Sequence, residues 1–182
     1  MTDSTVTLIT GGSRSGKSRA ALEKIAPYGQ KAFLATAEIT DTEMAKRIEK
    51  HKKERGPDFL TVEEPIYLAK TIRNLAGRVD VILIDCLTLW LNNLFHYFGP
   101  TPERISKEIQ GFLSTLDERI ASFIVVTNEI NMGVVPPDAV SRRFVDEQGR
   151  LNQEVARRSD EVILMIAGIP QILKKSEIFL KP

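Results

Sequence analysis

Gly11-Gly12-Ser13-Arg14-Ser15-Gly16-Lys17-Ser18 reads G-x-x-x-x-G-K-S, the pattern of a phosphate-binding loop. Upstream, Val6 to Ile9 is an apolar run that can form a buried strand. Downstream, Arg19-Ala20-Ala21-Leu22-Glu23-Lys24-Ile25 can form a helix. The flanks decide the reading, because the motif works between a strand and a helix N-terminus. Glycines let backbone N–H groups approach phosphate oxygens, and the helix dipole adds to their field. In such loops the lysine, here Lys17, reaches the β- and γ-phosphates, and the hydroxyl of Ser18 ligates Mg²⁺. A Gly-rich turn matching by chance would not need both flanks.

The rest of the chain bounds what such a loop can belong to. With 182 residues, 42% hydrophobic and 27% charged, the default is one soluble domain with a core of its own. Residues 1–182 are therefore expected to form a single P-loop nucleotide-binding domain. The 25 basic and 24 acidic residues leave a net charge of +1, so no basic field points to nucleic acid as a partner. Cys86 is the one cysteine and can form no intramolecular disulfide, which fits a reducing cytosol. Met1-Thr2-Asp3-Ser4 shows no basic-then-apolar leader, and no apolar run approaches the ~20 residues of a membrane span. The expected location is cytoplasmic, without membrane insertion.

Hydrophobic patterning predicts strands alternating with helices throughout. Strands are expected at Thr5–Thr10, Lys31–Ala37, Leu60–Val62, Val79–Ile84, Phe123–Val126, Val162–Ile166 and, as a short edge strand, Gln171–Leu173. Helices are expected after the loop to about Ala26, from Asp41 or Thr42 to about Glu54, and from Pro65 to Leu75. Further helices are expected at Leu87–Phe98, from about Pro102 to Ile120, and at Ser141–Arg158, the last interrupted near Gln148-Gly149. The pattern predicts an α/β fold with a mainly parallel sheet covered by helices on both faces. No repeat, low-complexity segment or linker divides it.

Other polar groups fall where a site would need them. Asp85 ends the run Val81-Ile82-Leu83-Ile84, the position where P-loop proteins hold Mg²⁺ by a carboxylate. Thr127-Asn128-Glu129 ends another strand, and Ala35-Thr36-Ala37 a third. Ligands of open α/β sheets bind beyond the carboxyl ends of strands, although loops there are polar in any case. On the helix predicted from Thr42, Met44 and Ile48 share a face, and that face continues to His51 and Arg55. Arg47, Lys50, Lys52, Lys53 and Arg55 surround the imidazole, favouring its neutral, nucleophilic form. By spacing alone, a solvated helix end whose cations complement the dipole explains this run better. His96 and Cys86 read as structural, in a segment apolar on more than one side. A guanine-reading N-K-x-D sequence is absent.

Four segments in this order resemble the bifunctional adenosylcobinamide kinase / adenosylcobinamide-phosphate guanylyltransferase family. They are Thr10–Ser18; Glu43-Met44-Ala45-Lys46-Arg47-Ile48-Glu49-Lys50-His51-Lys52; Val126-Thr127-Asn128-Glu129-Ile130-Asn131-Met132-Gly133-Val134-Val135-Pro136; and Phe144-Val145-Asp146-Glu147-Gln148-Gly149-Arg150-Leu151-Asn152-Gln153. The likeness covers nearly the whole chain. One departure is Phe59, where relatives often carry Trp.

The resemblance implies a RecA-like P-loop fold, a homotrimer, and two reactions late in adenosylcobalamin synthesis. Adenosylcobinamide is phosphorylated on its aminopropanol hydroxyl with ATP or GTP. GMP is then transferred from GTP to that phosphate through a GMP–histidine intermediate, giving adenosylcobinamide-GDP and pyrophosphate. The family's nucleophile falls on His51, which reverses the weighing by spacing. Nucleotide contacts fall on Gly11, Gly12, Ser13, Arg14, Ser15, Gly16, Lys17 and Ser18. They fall further on Ala35, Thr36 and Ala37, on Lys52, Lys53, Glu54 and Arg55, and on Glu63. Mg²⁺ falls to Ser18 and Asp85. The alternatives that the residues leave open are another small-molecule kinase on the same scaffold, with His51 idle, and a RecA-type module in which nucleotide gates assembly.

Overall fold

The computed structural model describes residues 4–38, 42, 49, 58–99, 101–130, 132–133 and 135–176. In chain order the elements are β1 (Val6–Gly11), α1 (Lys17–Ile25), β2 (Lys31–Ala35), β3 (Phe59–Glu63), α2 (Leu68–Leu75) and β4 (Val81–Asp85). There follow α3 (Leu87–Phe98), α4 (Pro102–Glu118), β5 (Ser122–Val126), α5 (Ala139–Arg158), β6 (Glu161–Ile166) and β7 (Ile169–Lys175). They build one seven-stranded sheet in the order β3-β2-β4-β5-β1-β6-β7. Neighbours are parallel except β6 and β7, as the alternating pattern predicts. Every residue of β1 and β5 is buried, which is why these strands read as unbroken apolar runs rather than alternating ones.

Side-chain alternation sorts the sheet into two cores. Val6, Leu8, Ile82, Ile84, Phe123 and Val125 face α2 to α5 and pack with Ile72, Trp90, Phe112 and Val155. Ile9, Val81, Leu83, Ile124 and Val126 face the other way, against Ala21 and Ile25 of α1. Trp90 is fully buried because its indole N–H finds a partner, donating to Ile66 O at 2.8 Å.

Four expectations are corrected by local chemistry. First, α2 begins at Leu68, not Pro65. The Glu64 carboxylate accepts from the N–H groups of Ile66 (3.0 Å) and Tyr67 (2.7 Å), binding them into a turn ahead of the helix. Second, α5 runs without interruption from its Asp138 cap, whose carboxylate accepts from Ser141 N at 2.8 Å. A helical Gly149 costs about 1 kcal/mol relative to Ala, and burial of Gln148, Leu151 and Val155 around it offsets that. Third, β7 is no short fragment but the second arm of a hairpin. Its two-residue turn puts Ala167 at φ +51 and Gly168 at φ +83, the pair of positive values that matches strand twist. Fourth, α3 has its expected bounds but is buried on one side only. Leu87, Trp90, Leu91, Asn93 and Leu94 face inward, whereas His96 and Tyr97 are exposed and meet edge to face at 5.6 Å. Most of the helix expected from Thr42 to Glu54 lies outside the described residues.

Candidate nucleotide-binding site

The carboxyl ends of β1, β5 and β4 lie side by side, and register aligns them. Val126 of β5 sits between Ile9 of β1 and Asp85 of β4. The phosphate loop therefore leaves the sheet at the level of Asp85 and of Thr127-Asn128-Glu129.

The loop is shaped by its glycines and by a distant hairpin. Gly11 has φ +147, and a Cβ there would stand 2.4 Å from Met165 O on β6, so only glycine fits. Gly16 (φ +97) turns the chain into α1. Arg14 adopts φ +57, and with Gly12 and Ser13 it is exposed at the loop's outer side. The Gly168 N–H, in the β6–β7 turn, donates to Ser15 O at 3.0 Å. Ser15 is buried, and its hydroxyl has no partner among the described residues.

Lys17 is buried, with Nζ folded back on the loop to donate to Gly11 O (3.0 Å) and Gly12 O (2.7 Å). Burial lowers its pKa, while the thiol of Cys86 and the carboxylate of Asp85 pull the other way. Those two carbonyls hold the ammonium inside the loop, where a terminal phosphate would take their place. Ser18 Oγ donates to Asp85 Oδ2 at 3.1 Å. A hydroxyl and a carboxylate oxygen are hard donors that suit Mg²⁺, which takes few protein ligands and fills the remainder with phosphate oxygens and water.

Cys86 stands behind this pair. Burial, reinforced by the charge of Asp85, pushes its thiol up to about 12, so it is an inert core group. Thr36 is fully buried, and its hydroxyl donates to Cys86 O and accepts from Cys86 N, both at 2.9 Å. Asn93 Nδ2 in turn donates to Thr36 O at 2.8 Å. On this geometry Thr36 holds the end of β2 against the Asp85–Cys86 segment, while Ala35 and Ala37 flank it. Glu63 ends β3 at the far edge of the sheet, four strands from β1. At about 4.8 Å per strand it lies roughly 19 Å from the loop strand, too far for the phosphate grip. His51, Lys52, Lys53, Glu54 and Arg55 fall outside the described residues.

A second polar cluster was only half legible in the sequence. Thr127 is fully buried at the end of β5, and its Oγ1 donates to Asn152 Oδ1 at 2.8 Å. Gln148 Nε2 donates to Thr127 Oγ1 (3.0 Å) and to Asn152 Oδ1 (2.8 Å). Asn152 Nδ2 donates to Asn128 O (3.1 Å) and Glu129 Oε2 (3.4 Å). Gln148 and Asn152 are one helical turn apart, so two amides on the inner face of α5 were the available signal.

Known proteins resemble the chain over most of its length. A family model described as cobinamide kinase / cobinamide phosphate guanyltransferase matches residues 7–173. A bifunctional adenosylcobalamin biosynthesis protein CobP of Pseudomonas aeruginosa is 44% identical over 168 residues, covering 92% of this chain and 96% of the relative. Proteins named bifunctional adenosylcobalamin biosynthesis protein CobU from Escherichia coli and Salmonella typhimurium are 36% and 38% identical, each over 89% of this chain and 96% of the relative. Among solved structures, a KaiC-like protein of Pyrococcus horikoshii superposes with a TM-score of 0.52 at 17% identity, covering 95% of this chain and 80% of that one. That likeness concerns the fold, which is of RecA type.

Proposed function

The chain belongs to the cobinamide kinase / cobinamide phosphate guanyltransferase family, and from that premise we propose that its one phosphate loop serves two transfers. The enzyme phosphorylates adenosylcobinamide with ATP or GTP, then transfers GMP from GTP to the resulting phosphate, giving adenosylcobinamide-GDP for adenosylcobalamin synthesis. The observation that carries the proposal is the convergence of Lys17, Ser18 and Asp85 on one loop, at the carboxyl ends of β1 and β4.

In the kinase step the loop amides and Lys17 stabilise charge on the transferring phosphoryl group. Positioning and electrostatics supply most of the catalysis in such transfers. Ser18 and Asp85 would hold Mg²⁺, which when bound neutralises phosphate charge. In the guanylyl step the same loop holds the triphosphate of GTP, and Lys17 stabilises the leaving pyrophosphate. His51 is the proposed nucleophile toward the α-phosphorus: its nitrogen forms a P–N bond as the bond to pyrophosphate breaks. The cobinamide phosphate oxygen then displaces histidine. Covalent catalysis divides a difficult transfer into two easier ones. What supports His51 is its place in the E-M-x-x-R-I-x-x-H segment and the cations around it. Lys52, Lys53, Glu54 and Arg55, with Ala35–Ala37 and Glu63, are proposed nucleotide contacts on the family resemblance alone, Glu63 away from the phosphates. The homotrimer and the cytoplasmic location belong to this reading too. The second is supported by the single, buried cysteine. Among the described residues no helix is long and apolar enough to cross a membrane.

The test is incubation with GTP labelled at the α-phosphate. The expected result is acid-labile, base-stable label on the protein, absent from His51→Ala and discharged by adenosylcobinamide phosphate. Label surviving in His51→Ala would sink the histidine route.

A further inference from the structure

A cavity of about 250 Å³ lies between α5 and the β1–β6–β7 side of the sheet. Leu8, Ala156 and Val162 make its apolar wall, and Thr10, Glu129 and Asn152 its polar end. Thr10 is 6% exposed, yet its Oγ1 has no hydrogen-bond partner among the described residues. An unmet buried hydroxyl carries a desolvation penalty that a bound partner would remove. Thr10 directly precedes the phosphate loop.

Glu129 ties the cavity to that loop. Its N–H donates to Gly11 O at 3.1 Å, the same carbonyl that accepts from Lys17 Nζ at 3.0 Å. Its carboxylate is steadied by Asn152 Nδ2, and Asn152 is fixed in turn by Thr127 and Gln148. The carboxylate thus stands where the loop meets the cavity. The kinase chemistry needs such a group, since an attacking alcohol must lose its proton, and Asp85 is already engaged with Ser18.

We propose that this cavity is the acceptor-alcohol subsite of the kinase step, with Thr10 Oγ1 hydrogen-bonded to the alcohol oxygen and Glu129 accepting its proton. The inference rests on the kinase reading above. The alcohol oxygen forms a bond to the γ-phosphorus while the bond from that phosphorus to the β,γ-bridging oxygen breaks. That bond's electron pair leaves with the nucleoside diphosphate, and the alcohol proton moves to the Glu129 carboxylate. At about 30 Å³ per water-sized group, the cavity has room for a short hydroxyl-bearing arm. The apolar wall matches the carbon atoms of that arm.

The experiment compares two assays on the full-length chain: adenosylcobinamide with ATP, and preformed adenosylcobinamide phosphate with GTP. Glu129→Gln is expected to lower kcat for phosphorylation by about 10²–10⁴-fold while the KM for ATP stays nearly constant. Guanylyl transfer should fall far less, because an ionised phosphate acceptor has no proton to surrender. The near-isosteric Thr10→Val reads the same subsite without touching the carboxylate. It should raise the KM for adenosylcobinamide by about tenfold, with the melting temperature unchanged or higher. Near-normal phosphorylation by Glu129→Gln, an equal fall in both assays, or an unchanged adenosylcobinamide KM in Thr10→Val would overturn the inference. Absence of phosphorylation by the unaltered chain would instead overturn the functional reading on which it rests.

Discussion

Ser18 Oγ donates to Asp85 Oδ2 at 3.1 Å, joining the first turn of α1 to the end of β4 with β5 between their strands. Both oxygens are needed for the proposed cation site, and neither can be replaced by the other. Asp85→Asn keeps the hydrogen bond but removes the charge. It should raise the Mg²⁺ concentration for half-maximal activity about tenfold or more in both reactions, with the fold intact. A magnesium titration of each assay measures this. An unshifted midpoint would remove Asp85 from the metal.

Lys17 should show a common effect on both reactions. Lys17→Ala removes the buried cation that stabilises phosphoryl charge, and a fall of about 10²–10³-fold in kcat is expected for each. Lys17→Arg should fare little better. The ammonium bridges two loop carbonyls at 3.0 and 2.7 Å in a buried space, and a planar guanidinium does not fit a compact point-charge site. Single-turnover measurements of each step provide the check. Loss of one step alone would show that the loop is not shared.

Gly11 is a steric prediction. Gly11→Ala places a Cβ 2.4 Å from a backbone carbonyl of β6 at a φ that side chains rarely adopt. Strain of this kind costs about 1–3 kcal/mol, which lowers the melting temperature of a chain this size by several degrees. Nucleotide affinity should fall with it, because the displaced segment is the loop itself. Calorimetry with and without ATP tests both.

Asp160 provides a pH dependence. Burial pushes its carboxyl up, but hydrogen bonds from Arg119 and the Val6 N–H, with the charges of Arg119 and Lys174, outweigh that and leave it below the ordinary value of 3.8. A depressed folded pKa means stability present above the unfolded value and lost as pH falls through the folded one. The contribution is thus full above about pH 4 and disappears in more acid solution. The pair is about a third exposed on each side, so screening holds it to roughly 0–1 kcal/mol. Asp160→Asn should lower the melting temperature by up to about 4 °C at pH 7, and the difference should shrink as pH falls through the folded pKa. A constant difference across pH would refute the assignment.

How far the sequence could be read depended on range. Strand–loop–helix chemistry from Val6 to Ile25 is local, and so is the alternation that predicts a parallel sheet. Those readings hold in the structure. The Pro65 start came three residues early: Glu64 accepts from the N–H groups of Ile66 and Tyr67 in a turn ahead of the helix, a side-chain contact that propensity does not carry. Gln148-Gly149 looked like a break because the benefit of burying Gln148 comes from Thr127 and Asn152, through contacts made in the fold. The same network was the hidden part of the site: Thr127-Asn128-Glu129 was visible as a polar strand end, but the amides that orient it sit on α5. Thr10 read simply as the last residue of a strand, and nothing local marks its hydroxyl as unpartnered. His51 was weighed down by the lysines beside it until the resemblance reversed the balance.

The hydrogen bond from Gly168 N to Ser15 O bears on how the chain is made. The loop is complete in sequence at residue 18, while β1, which carries it, is flanked by β5 and β6, elements from the second half of the chain. During synthesis the loop leaves the ribosome well before the strands that flank it, and is therefore among the last segments to acquire its final shape. A polypeptide halted before residue 168 has the whole motif and lacks the hairpin that braces it. Nucleotide capture should then report a chain folded through that hairpin, and shorter nascent fragments should pass ATP and GTP by.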